Sequence, residues 1–433
     1  MGSIHTRRAF LTTAGRAALA VPAASLAAAA WARPALAAGP ARLAPSPDPL
    51  APLAQRFSDL RRHFIFDFYP WYGGPPDYLH WDYLDRHPPL DLSSNYVPRL
   101  GPYDTRARAV LEQQARWIAD SGVGAIALSW WGAGHYTDTP VHDIMDVMAA
   151  HDIKVTFCLE PYRDDRGKVF AKDVRYLVRE YGEKRGYDAL LILKNADGKE
   201  GPLFKGFACI LPEDSTDCHG QTHPIDNYTA DAQWRSQTDE VREALRGQFD
   251  HVTLLADSLH WPRTVASGFD GITVFDNYIA PDRYAGYAAS ASANDLLFSF
   301  NINPGFDMIL DRDAEPGSCY APPDFAPPAP AAIDWSRGDE RERAARLSQA
   351  RIASAFEATL RVQTDPALSN ARRGFFLVYV NSFNEWHEGH QFEPARDRAG
   401  LTDAERALGL HNGDAGSYRL DTLRGLIRDL VDR

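Results

Sequence analysis

Phe375-Phe376-Leu377-Val378-Tyr379-Val380 is followed closely by Asn384-Glu385-Trp386-His387-Glu388-Gly389-His390. The first stretch is a short, continuous apolar run, which reads as a strand buried on both faces. A strand that ends in an irregular loop turns its last side chains toward an open face. Two carboxylates three residues apart, with an indole and an imidazole between them, can act there as acid and base on a substrate held against the ring. Taken alone, Glu-x-x-Glu is a common pattern, and an exposed acidic loop with an incidental Trp accounts for it equally well. The rest of the chain decides between the two readings.

Upstream, the same kind of apolar run recurs at 63–69, 125–130, 154–159, 190–193, 252–256, 272–275 and 296–302. Stretches of helical character separate these runs, at 105–121, 141–151, 171–185, 234–246 and 340–364, and a last one covers 420–431. Asn195-Ala196-Asp197-Gly198 reads as a turn between two strands. Strands alternating with helices predict an α/β fold with a parallel sheet. About eight such units favour a (β/α)8 TIM barrel over an open doubly wound sheet, and no Gly-rich turn follows the first strand to suggest a dinucleotide fold. Two stretches, 212–231 and 315–335, are too long for plain connections and are expected to be insertions over the catalytic face. The expected organisation is a signal segment at 1–37, a linker at 38–60 and a single barrel domain over 61–433.

Thr6-Arg7-Arg8-Ala9-Phe10-Leu11, an Ala-rich stretch after it and the small-residue site Ala35-Leu36-Ala37 form a twin-arginine export pattern. It implies a periplasmic or extracellular protein with no membrane attachment once the signal is removed. Loss of residues 1–37 removes four Arg and no acid, which takes the net charge from −12 to −16. So acidic a chain is a poor partner for nucleic acid or anionic lipid, which need clustered Lys and Arg. The four cysteines show no zinc spacing. Cys209 and Cys218 are the expected disulfide pair, and Cys158, inside an apolar run, is expected to be a buried thiol.

Active sites of such barrels lie at the C-terminal ends of the strands. Those ends carry Trp71, Tyr72, His80 and Trp81; Trp130; Glu160 and Tyr162; Asp276-Asn277-Tyr278; Asn303; and Glu385, Trp386, His387 and Glu388. Aromatic, carboxylate and amide groups converging on one end suit a polyhydroxylated ligand, whose apolar ring faces stack on aromatics while its hydroxyls need polar partners. No metal-ligand spacing such as HExxH is present, and no cofactor is expected.

These residues resemble a known family. Tyr69-Pro70-Trp71-Tyr72-Gly73 with His80-Trp81, Leu159-Glu160-Pro161-Tyr162, Phe269-Asp270-Gly271-Ile272, and Phe383-Asn384-Glu385-Trp386-His387-Glu388-Gly389 continuing to Gln391-Phe392-Glu393-Pro394 are similar to motifs of glycoside hydrolase family 99, the endo-α-mannosidase and endo-α-mannanase family. The resemblance implies a metal-independent (β/α)8 hydrolase that cleaves internal α-mannosidic bonds with retention. It assigns Glu385 as the base on the sugar 2-hydroxyl and Glu388 as the general acid and then base, with Tyr72 and Glu160 at positions that contact the sugar. The chain departs from the family pattern at Gly74, where Asn is usual, in the Asp276-Asn277-Tyr278 loop and in the two insertions. The expected partner is a polysaccharide or oligosaccharide. The competing readings are a non-hydrolytic carbohydrate-binding or surface-polysaccharide-processing barrel and a metal-dependent hydrolase.

Overall fold

The computed structural model describes residues 53–275, 279–310, 312, 327 and 329–431. The signal segment, residues 38–52 of the linker, Asp276-Asn277-Tyr278 and most of the 315–335 insertion lie outside the described residues. Eleven strands are described: β1 (Phe64–Phe68), β2 (Ala125–Trp130), β3 (Lys154–Leu159), β4 (Ile192–Lys194), β5 (Glu200–Gly206), β6 (Asp214–Thr216), β7 (Thr222–Pro224), β8 (Thr253–Asp257), β9 (Gly271–Val274), β10 (Leu297–Phe300) and β11 (Val378–Val380).

The main sheet runs β10-β9-β8-β5-β3-β2-β1-β11, and every pair along this path is parallel. Its two ends meet. Ile302, just past β10, forms a parallel bridge with Val380, its N–H donating to Tyr379 O at 3.0 Å and its carbonyl accepting from Asn381 N at 3.0 Å. The result is a nearly closed eight-strand barrel with helices around it, as the alternation of runs predicts. The turn at Asn195 joins β4 and β5 as an antiparallel pair, and only β5 enters the barrel.

Period-two alternation sorts each strand between two cores. Phe64, Phe66 and Phe68 pack into the layer under the helices, while Ile65 joins Ala125, Ala127, Leu203, Leu255, Leu297 and Tyr379 in the smaller cluster. Asp67, on the Ile65 side of β1, meets Lys205 of β5, whose Nζ lies 2.8 and 2.9 Å from the two carboxylate oxygens. Burial presses the Lys205 pKa down, but the Asp67 charge outweighs it and leaves the ammonium more firmly protonated than usual. The pair fills the barrel without leaving a lone buried charge.

The 212–231 insertion contains the exposed hairpin β6–β7, and its Ile225 packs with Phe207, Leu211 and Phe275. Phe207 and Phe275 follow the C-terminal ends of β5 and β9, so this insertion lies on that face. The expected Cys209–Cys218 disulfide is not formed. Cys209 is a buried free thiol tucked against Gly206, whereas Cys218 is disulfide-bonded and exposed on the hairpin. Cys158 is the buried free thiol expected of it.

Candidate active site

The loop after β11 is tied to the end of β1 before it turns into the site. Phe383 N donates to Asp67 O at 2.8 Å, which prolongs the strand pairing. The Asn384 amide then takes over the role of a strand: its Oδ1 accepts from Tyr69 N at 2.8 Å and its Nδ2 donates to Tyr69 O at 2.9 Å. Beyond Glu388 the chain reverses at Gly389, whose φ is +69°. A Cβ there would sit 2.0 Å from Asp307 O, so only glycine allows this approach. Asp307 N donates to Glu388 O at 3.1 Å and Ile309 N to His387 O at 2.9 Å, while Arg419 donates to the carbonyls of Gly389 and Gln391.

This turn brings Glu385, Glu388 and His390 together. His390 Nε2 lies 2.8 Å from Glu388 Oε2 and 3.3 Å from Glu385 Oε2, and His387 Nε2 lies 3.7 Å from Glu385 Oε1. The far side of His390, Nδ1, is 3.0 Å from Ser382 Oγ, which also accepts from Glu385 N at 2.9 Å. Donor atoms of Glu385, Glu388 and His390 all fall within 4.8 Å of one another, the one such group of three among the described residues that a metal ion could bridge. Atoms bound to a common ion at about 2.1 Å stand about 3.4 Å apart in tetrahedral geometry. The 2.8 Å separation is therefore that of a hydrogen bond. The pair is not in an open trough: Glu385 and Glu388 are 0% and 1% exposed.

An aromatic wall stands beside the carboxylates. Trp71 stacks between Tyr69 and His80, with centroids 4.6 Å away on each side, and lies 5.5 Å from the His387 ring. His80 is half-buried, with φ +64°, and burial lowers its pKa to about 3, so it is a neutral ring at working pH. The Tyr72 hydroxyl accepts from Trp386 N at 2.8 Å and lies 3.5 Å from His387 Nδ1. Burial, the largest cause, raises its pKa well above the usual phenol value, so it stays protonated. Glu160 is fully buried and its Oε1 accepts from Ser129 Oγ at 2.8 Å; Ser129 Oγ accepts in turn from Trp131 Nε1 at 3.1 Å. Tyr162 is half-buried and donates its hydroxyl to Asp173. Asn303 Oδ1 accepts from Arg351 Nε at 3.2 Å and from Gly305 N at 3.1 Å.

Three of the expected sugar-stacking rings are corrected. Trp81, Trp130 and Trp386 are each 0% exposed, and each indole N–H is taken by the protein. Trp81 Nε1 donates to Tyr103 O, Trp130 Nε1 to Asp138 Oδ1, and Trp386 Nε1 to Glu393 Oε2. Trp130 ends β2 on the helix-facing side, in the main core. The next residue, Trp131, points the other way and packs with Trp71, Tyr72 and Trp386. Sequence reasoning chose the wrong member of that pair. It also missed His390, Ser382, Tyr83 (ring 5.6 Å from His387) and the buried Glu393. Nothing in the sequence around His390 marks it, since the turn at Gly389 is what returns its ring to the carboxylates.

Comparison with known proteins agrees with this geometry. A family model described as "Glycosyl hydrolase family 99" matches residues 59–204, which include Trp71, Tyr72, His80 and Glu160. The mouse protein "Glycoprotein endo-alpha-1,2-mannosidase-like protein" is 26% identical over 374 residues, covering 78% of this chain and 70% of its own length. The rat "Glycoprotein endo-alpha-1,2-mannosidase" is 26% identical over 368 residues, covering 76% of this chain and 67% of its own length. The solved GH99 endo-alpha-mannosidase of Bacteroides thetaiotaomicron superimposes with a TM-score of 0.60 at 21% identity, over 86% of this chain and 98% of that one, which supports the barrel fold. With a paired-glutamate site at the C-terminal end of such a barrel and these relatives, the chain is a glycoside hydrolase similar to those of family 99.

Proposed function

We propose that the protein is an exported, retaining, endo-acting hydrolase of α-mannosidic bonds in mannan or mannose-containing glycans. The observation that carries this reading is the Glu385–Glu388 pair, with an oxygen of each carboxylate within 4.8 Å of the other beside an aromatic wall. Carboxyl groups of retaining glycosidases stand about 5–5.5 Å apart and those of inverting ones about 6.5–9.5 Å. The two carboxyls are close enough to reach one sugar ring, as the retaining route through the 2-hydroxyl needs. The relatives named as endo-alpha-1,2-mannosidases favour mannose as the sugar and an internal bond as the target.

In the proposed mechanism Glu385 takes the proton of the sugar 2-hydroxyl as O2 attacks C1. The C1–O glycosidic bond breaks, and Glu388 gives its proton to the departing oxygen. Water then opens the 1,2-anhydro sugar at C1, its proton passing to Glu388, while Glu385 returns a proton to O2. Two inversions at C1 give net retention. His80, backed by Trp71, would provide the ring face toward the sugar, and Glu160 a partner for sugar hydroxyls. Neutral His80 can accept or donate without bringing charge to the site.

The test is to incubate the purified protein with α-mannans and with other α-glycans and to analyse the products. Release of oligosaccharides that first appear as the α-anomer supports the reading; turnover of a different α-glycan alone would refute mannose as the sugar, and a β-anomer would refute retention. The export proposal rests on Thr6-Arg7-Arg8 and the residues after it. A reporter fused to residues 1–37 that stays inside cells with a working twin-arginine pathway would overturn it.

A further inference from the structure

We propose that His390 is a positioning residue for the reaction: its Nε2 braces Glu385 and Glu388 at one-sugar spacing, and its positive charge holds whichever of the two is ionised, Glu385 before the glycosidic bond breaks and Glu388 after it. The inference rests on the hydrolase reading above and names a group which that reading leaves unused.

A carboxylate out of water is costly unless an opposite charge lies beside it, and here the charge passes from Glu385 to Glu388 during the reaction. His390 Nε2 is where that charge would go, 2.8 Å from Glu388 and 3.3 Å from Glu385. The ring is fully buried. The ionisable groups acting on it are Glu385 and Glu388 of its own loop. From the neighbouring segments it meets Ser382 Oγ at Nδ1, the Phe275 ring edge-on at 5.9 Å and the Phe306 ring stacked at 5.8 Å. The two phenyl rings exclude water and keep the local dielectric low, which strengthens the attraction. Ser382 fits either protonation state, since its hydroxyl can donate to Nδ1 or accept from it. Burial alone would lower the ring's pKa, but its hydrogen bonds to Glu385 and Glu388 and their charges reverse this, and the net direction is upward.

The experiment has two arms. In the first, kcat/KM is measured against pH for the wild type and for His390→Gln, which keeps an N–H donor but cannot carry the charge. Loss of a cation raises the pKa of both carboxylates, so both limbs of the bell should move to higher pH by about one unit or more, as for an opposite charge within 4–6 Å. A structural role would lower kcat with the limbs unmoved, and that result overturns the proposal. In the second arm the imidazole of His390 is followed by 15N NMR in the free protein, its signal assigned by its absence in His390→Gln or His390→Asn. It should titrate above the ordinary value near ~6.5 and fall back in Glu388→Gln. A midpoint at or below that value overturns the proposal. The second arm needs no turnover. A raised midpoint in a protein that hydrolyses no glycan would support the brace and refute the hydrolase reading, whereas turnover with unmoved limbs would do the reverse.

Discussion

Replacing Glu393 with Gln removes a titrating group from behind the catalytic loop while keeping its shape. Glu393 is buried. Its Oε2 accepts from Tyr103 OH at 2.6 Å and Trp386 Nε1 at 2.9 Å, and its Oε1 accepts from Gln114 Nε2 at 3.0 Å. Burial raises its pKa from 4.5 to about 7, against the lowering effect of those three donors. A raised carboxyl pKa means that the folded protein holds a proton the unfolded chain has released. Stability therefore falls as pH rises from about 4.5 to about 7 and is level above that. At 1.36 kcal/mol per pKa unit, the loss between pH 5 and pH 8 is roughly 2–3 kcal/mol. Gln cannot ionise. Its carbonyl can keep the bonds from Tyr103 and Trp386, and its amide can reach Gln114 Oε1, a buried acceptor with no partner, once the Gln114 amide turns over. Urea unfolding of wild type and Glu393→Gln across pH 5–8 should show the variant gaining roughly 2–3 kcal/mol on the wild type as pH rises. A difference that stays flat across that range would refute the buried, proton-holding role of Glu393.

Gly389→Ala should abolish activity with far less effect on overall folding, since its Cβ would meet Asp307 O at 2.0 Å at a φ of +69° and push Glu388 and His390 out of register; unchanged kcat would contradict the described turn. Asn384→Ala removes the hydrogen bonds that Asn384 makes with the buried Tyr69 N–H and C=O, at about 1–3 kcal/mol for each group, and should lower the thermal midpoint and the activity together. Exhaustive EDTA dialysis should leave activity intact, because the Glu385–Glu388–His390 cluster is spaced for hydrogen bonds; loss restored by one divalent ion would contradict that.

The barrel was legible because each of its strands is covered on both faces, by helices outside and by its opposing strands inside. That condition writes short unbroken apolar runs such as 125–130 and 154–159 into the sequence. Glu385 and Glu388 were legible because their place at a strand end is itself a property of the sequence. Ring orientation was not. Trp130 and Trp131 are adjacent, and which one faces the site depends on Asp138 and the helix layer around it, not on anything in the dipeptide. The partners that commit Trp81 and Trp386 to the interior, Tyr103 and Glu393, come from other segments. The Cys209–Cys218 expectation failed because closeness in sequence is not closeness in space: the Cys209 thiol is buried against Gly206, whereas Cys218, on an exposed hairpin, is disulfide-bonded. His390 was hidden by a fold-dependent reversal, since only the left-handed turn at Gly389 returns its ring to both carboxylates.

The central claim is that Glu385 and Glu388 together hydrolyse an α-mannosidic bond. Its most direct test is the initial rate of oligosaccharide release from α-mannan by wild type, Glu385→Gln and Glu388→Gln, with folding of each checked by thermal unfolding. The account predicts turnover by the wild type and a loss of ~10²–10⁴-fold or more in each variant with substrate binding retained. Near-wild-type rates in either folded variant would contradict it.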